Sequence, residues 1–138
     1  MYLKYTKALK DSALTVSLYC SNFTTDETKA IRQLGAPKIT LSKSYEVSGV
    51  TVDLNASVPS LNVNQEFKGT TDTVQDVLAE GNEFITDVAQ AITEVMVELM
   101  TQYRAIQTEV AKVSGQIKIQ DEAASADGDN GSVLINDF

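Results

Sequence analysis

The sequence predicts an α+β protein: a small mixed or antiparallel β head with one short helix, followed by a long amphipathic, coiled-coil-like helix and an extended acidic C-terminal tail. Three observations predict it. Residues 14–20 alternate apolar and polar, and residues 38–67 return repeatedly to the same strand texture. Val74, Leu78, Ile85, Val88, Ile92, Val95 and Leu99 recur at steps of mostly three and four, which is helix spacing. Residues 69–103 hold seven acidic residues and no lysine or arginine, so that helix has an acidic back. The chain accordingly divides into a head module over residues 1–70, the helix over 71–120, and an acidic linker with a docking tail over 121–138.

Within the head, Leu14, Val16, Leu18 and Cys20 alternate with Thr15, Ser17 and Tyr19, giving a strand with one buried face. A short helix follows. Thr24 and Glu27 make a capping box, Ala30, Ile31 and Leu34 supply an apolar side, and Gly35 with Pro37 stops it. Ile39 and Leu41 then open a run of strands that continues through Tyr45, Val47, Val50, Val52 and Leu54 to Leu61, Val63 and Phe67. Gly49 and residues 55–59 are the expected turns or bulges.

Thr71 or Asp72 is the expected cap of the long helix, and acidic residues in its first turns suit the positive end of its dipole. Leu78, Ile85, Ile92 and Leu99 take one heptad core position, and Val74, Gly81, Val88 and Val95 the other. The pattern then slips by four residues: Tyr103, Val110 and Ile117 continue the first set, with Ile106 and Val113 as the second. Such a stutter locally unwinds a supercoil without ending it. β-Branched residues at both positions lean toward three or more strands, and Phe84, Ala89, Ala91 and Met96 widen the apolar face further. The expected interface is therefore Leu78, Ile85, Val88, Ile92, Val95, Leu99, Tyr103, Ile106 and Val110. The competing arrangement folds the helix back on the head. Strands of five or six residues span only ~20 Å, against about 65 Å for a helix from Val74 to Ile117, so self-association is the favoured way to cover it.

Residues 121–131 read as a flexible acidic spacer, and Val133, Leu134, Ile135 and Phe138 as a short apolar tag for docking into a groove or onto a sheet edge. The formal charge is −8, unevenly placed. Residues 1–70 hold eight Lys/Arg against six Asp/Glu, whereas residues 71–138 hold three against thirteen. Phosphate would be repelled by the second half, which argues against nucleic acid as a partner. A basic protein surface, or a neighbouring copy, suits it better. Lys4, Lys7 and Lys10, interleaved with Tyr2 and Tyr5, are read as ordinary surface.

Chemistry finds little to work with. There is no histidine, which removes the commonest general base and the usual zinc sites. Cys20 is the single cysteine, so no internal disulfide forms, and alternation places it in the core rather than in a reactive site. Asp127, Asp129 and Asn130 faintly echo a calcium loop, but the glycine is misplaced and position twelve is Phe138 rather than glutamate. No catalytic residue, metal site or cofactor is expected. The N-terminus lacks the apolar run of a signal peptide and no stretch reads as a membrane span, so cytoplasmic synthesis and no membrane partner are expected.

A compact module with a protruding helix and an extended terminus resembles, in general architecture, the minor virion proteins of tailed bacteriophages: fibres, decoration proteins and connector components. That resemblance implies a non-enzymatic structural protein that oligomerises, as a trimer or higher, or docks on a larger assembly with a basic surface. The alternative is an adaptor or secretion-type chaperone whose acidic helix lies along a basic client. An enzyme would require a concave pocket with two buried acids, such as Asp53 and Glu46.

Overall fold

The computed structural model describes residues 1–106, 118–119 and 129–135. The chain opens on a hairpin of β1 (Tyr2–Lys10) and β2 (Ala13–Ser21), paired in register from Tyr2↔Ser21 to Lys10↔Ala13. Asp11 and Ser12 form the two-residue loop with φ of 51° and 63°, and positive φ at both positions lets the turn follow the twist of the strands. The sequence pattern had not announced β1. Its odd positions face inward, with Leu3 and Tyr5 buried, but Lys7 breaks the apolar alternation and hides the strand. Lys7 is accordingly not ordinary surface. It lies in the buried face of β1, and its Nζ donates to Asn82 Oδ1 at 2.8 Å.

The helix α1 (Thr25–Leu34) begins at the expected capping box. The Glu27 amide donates to Thr24 Oγ1 and the Thr24 amide donates back to Glu27 Oε1. The same Glu27 carboxylate, itself buried, pairs with the buried Met1 ammonium at 3.1 Å. Gly35 closes the helix at φ 95°, a conformation that suits glycine, and its N–H donates to Ile31 O. Then come β3 (Lys38–Tyr45), β4 (Val50–Ser57) and β5 (Asn62–Lys68), close to the expected strands, with Val47 in the β3–β4 turn.

A 3-10 turn over Thr71–Thr73 leads into α2 (Val74–Ile106), whose 33 residues make a rod of about 50 Å. The start differs from expectation: Thr73 Oγ1 accepts from the Thr70 amide, so this threonine pair shapes the entry rather than Thr71 or Asp72. Gly81 lies inside an unbroken helix, so it marks neither kink nor end. A Cβ there would fall within van der Waals contact of Leu14 Cδ2, so the glycine is what lets α2 sit down on β2. Two further strands follow, β6 (Lys118–Ile119) and β7 (Asp129–Leu134). The helix expected to reach residue 120 is thus replaced by strand before that point.

All pairings are antiparallel. One sheet has the order β5-β2-β1-β7-β6, and β3 with β4 forms a separate two-stranded sheet. The inward face of the larger sheet packs on α2, with α1 and β3 also against the helix. Tyr45 of β3, Phe67 of β5 and Phe84 of α2 join the three parts, with ring centroids 5.2 to 6.2 Å apart. Edge and tilted contacts of this kind add to the area they bury.

This arrangement corrects the free-standing helix. The sequence reading counted too few strands: with β1 and β7 added, nine-residue strands and five-strand width give a platform roughly 30 Å by 20 Å. That platform, flanked by β3 and α1, takes up the apolar stripe. Among the described residues no helix is long and apolar enough to cross a membrane.

Candidate functional site

The acidic segment of α2 meets the β3–β4 hairpin along one helix face. Glu80, Glu83 and Asp87 recur at helical spacing, and Lys43 and Tyr45 recur two apart on β3, so both sets project into the same seam. Lys43 Nζ donates to Glu83 Oε1 and, at 2.9 Å, to Asp87 Oδ2. These two hydrogen bonds, Glu83's the larger effect, raise the lysine's pKa and keep it charged. The Tyr45 hydroxyl donates to Asp87 Oδ2 at 2.7 Å, and its ring lies under Lys43 Nζ, 5.1 Å from the centroid. Burial first, and then the Asp87 carboxylate, push the phenol well above its usual range.

Glu80 holds the hairpin by its tip. Its carboxylate is buried and accepts from two consecutive turn amides, Val47 N–H at 2.7 Å and Ser48 N–H at 3.1 Å. Two backbone donors aimed at one carboxylate form a small anion-binding turn, here filled from within the chain. Next to this clamp lies an open groove of about 470 Å³ lined by Glu46, Val47, Asp76, Glu80 and Glu83 among others. Asp76 and Glu46 are exposed, and so is Val47. The groove thus presents several carboxylates and one bare aliphatic side chain to solvent.

No protein family, curated protein or solved structure matches this chain. Its reading rests on geometry.

The residues expected to form an oligomer seam are mostly inside. Ile85, Val88, Ile92, Leu99 and Tyr103 are buried in the chain's own core, Ile92 with no exposure at all. Leu78 and Val95 are half-buried, Ile106 is 58 % exposed, and Val110 lies outside the described residues. The seam therefore becomes an intramolecular contact over most of its length. The apolar tag fares similarly. Val133 and Ile135 are buried, Leu134 is half-buried, and Phe138 lies outside the described residues. The tag does dock on a sheet edge, and that edge is β1 of the same chain, paired from Tyr2↔Leu134 to Lys7↔Asp129. Most of the acidic spacer, including Asp127, also lies outside the described residues.

Asp53 and Glu46 are both exposed and so do not form the buried pair that an acid–base site would need. Among the described residues no group of three or more His, Cys, Asp or Glu side chains is placed to hold a metal. Cys20 is partly buried, and burial pushes its thiol up to about 12, the Met1 ammonium opposing this more weakly. A thiol held protonated is a poor nucleophile.

Sequence reasoning missed the seam between α2 and the hairpin because it assigned Glu80, Glu83 and Asp87 to a solvated face. A signal was present. A three-and-four acidic ladder and a Lys-x-Tyr pair on a strand are complementary periodicities, and both were visible in the sequence.

Proposed function

We propose that this chain is a non-enzymatic structural protein that works as a part of a larger assembly, in the manner of the minor virion proteins of tailed bacteriophages, with copies associating as a trimer or higher. The observation that carries the proposal is the open edge of β4. That strand pairs with β3 on one side, and among the described residues no strand pairs with its other side. It runs for eight residues with Asp53 as its one charge and no proline. Proteins that stay monomeric usually protect such an edge with charges, prolines, bulges or a covering segment. Leu78, Val95 and Ile106 add a remnant of apolar helix surface, where a coiled-coil-like contact between copies would form. Light scattering on the purified chain at micromolar concentration tests the proposal. A trimer or larger species supports it, and a monomer throughout the concentration range overturns it.

A second reading, the adaptor for a basic client, is favoured by the acidic groove beside Val47. Its test is binding of an oligolysine peptide with increasing salt. Affinity that falls with salt and drops on Asp76→Asn with Glu46→Gln supports it, since rim charges act through screened attraction. Affinity unchanged by both overturns it.

A further inference from the structure

The strand slot beside β1 is filled from the far end of the chain. β7 pairs with β1 at six positions, and its Val133, with Ile135 just beyond it, reaches the core. The Ile135 amide also donates to Met1 O at 3.2 Å. Without this segment β1 would be an open edge and the core would lack two of its fully buried side chains. The slot is thus a requirement of the fold, and the strand that satisfies it arrives on a tether.

The tether is long. α2 ends at Ile106 and β7 begins at Asp129, with the two residues of β6 between them paired to β7 itself. The first stretch, residues 107–117, could span ~35 Å if extended, more than twice the ~14 Å radius of gyration expected of a chain this size. A neighbour's slot is therefore as reachable as the chain's own. Exchange of an identical strand keeps every pairing and every buried side chain, so the two arrangements differ in tether entropy and concentration alone. Two features tilt the balance toward exchange. The sequence of residues 107–117 keeps its apolar residues at helical spacing, at Val110, Val113 and Ile117, a pattern that works against an early return. The tether also carries Glu109, Asp121, Glu122 and Asp127 past a helix that already bears the chain's main acidic ladder.

We infer that in the assembly β7 is exchanged: the C-terminal strand of one copy occupies the slot beside β1 of a second copy. This rests on the assembly proposed above and adds its mechanism. Passing the strand in one direction around a ring closes the assembly, and each subunit's core is then completed by its neighbour.

Cross-linking in the assembled protein tests it. Lys4 and Ser132 are register partners. Because Ile135 donates to Met1 opposite, the Lys4 and Ser132 positions form a non-hydrogen-bonded pair, whose Cα atoms approach to about 4.5 Å, inside disulfide range. In a Cys20→Ala background, protein carrying Lys4→Cys is co-refolded with protein carrying Ser132→Cys and then oxidised. The expected result is a covalent dimer joined between these two positions, identified by peptide mass. The doubly substituted chain should form a covalent ladder on non-reducing denaturing gels. A double variant that cross-links only within each chain, while light scattering still reports a trimer or larger, overturns the exchange and leaves the assembly standing. Internal cross-linking in a monomer overturns both. Should the first pair prevent folding, Tyr2→Cys with Leu134→Cys repeats the test in the same register.

Discussion

Replacing Glu80 with alanine removes the clamp on the β3–β4 turn, and the geometry sets the size of the effect. Two backbone N–H groups, those of Val47 and Ser48, lose their shared carboxylate acceptor at 2.7 and 3.1 Å. Hydrogen bonds to a charged group contribute about 1.5–3 kcal/mol each. The full sum is not realised. Val47 is 44 % exposed, so water reaches the freed turn, and the variant no longer buries a carboxylate. The expected loss is therefore about 2–3 kcal/mol, or roughly 6–9 °C in melting temperature for a domain of this size. Glu80→Gln should lose about half as much, because its carbonyl serves one amide while its NH2 opposes the other. Urea unfolding read by circular dichroism measures both, with unchanged m-values showing that the same surface unfolds. A loss under about 0.5 kcal/mol for Glu80→Ala would mean that water satisfies the turn as well as the carboxylate does. Equal stability of wild type and Glu80→Gln would mean that the charge is irrelevant. Either outcome refutes the clamp.

Three further outcomes are expected. Gly81→Ala gains about 1 kcal/mol of helix propensity but forces a methyl against Leu14 in a packed core, where overpacking costs about 1–3 kcal/mol; net destabilisation on denaturant unfolding is expected, and net stabilisation would show that Leu14 yields freely. Ile92→Asp should unfold the chain itself rather than merely dissociate it, since Ile92 has no exposure within one copy; Glu94→Lys, on the exposed side, should stay within about 0.5 kcal/mol of wild type. A folded monomeric Ile92→Asp protein by sedimentation would return that residue to an intermolecular seam. Finally, Cys20 should react with iodoacetamide at pH 9 far more slowly in the folded than in the urea-unfolded chain, because its thiol titrates near 12 rather than at the usual 9.0. The linked stability change has a definite sign: the folded state holds the Cys20 and Tyr45 protons more tightly, so their contribution is complete below pH 9 and is lost as pH climbs toward 12. Stability that rises between pH 9 and 11 would contradict both assignments.

Local chemistry was legible in the sequence wherever one stretch of chain sufficed. The Thr24/Glu27 capping box, the stop at Gly35 and the alternation of Leu14, Val16 and Leu18 all stand as read. What depended on residues far apart was read less well. β1 went unseen because Lys7 occupies an inward position, and its reason for being there is Asn82, seventy-five residues away. The wide apolar face of α2 was correctly seen to need covering, but the covering came from strands at both ends of the chain. Gly81 looked like a defect in a helix and is a contact point for a sheet. Periodicity states which face a helix must bury; it does not state against what.

The separate two-stranded sheet has a dynamic consequence. β3 and β4 exchange backbone hydrogen bonds with each other and, among the described residues, with no strand of the larger sheet. What fastens the hairpin to the body is side-chain contact at Tyr45, Lys43 and the Glu80 clamp. Such a piece can lift without tearing any ladder of the main sheet, so it forms a cooperative unit of its own. Amide hydrogen exchange would see it as a patch of early labelling from residue 38 to 57, with β1 and β2 protected to the limit of global unfolding. A partner that added a strand to β4 would enlarge that patch's sheet and slow its labelling, so the timing of exchange there reports on occupancy of the edge.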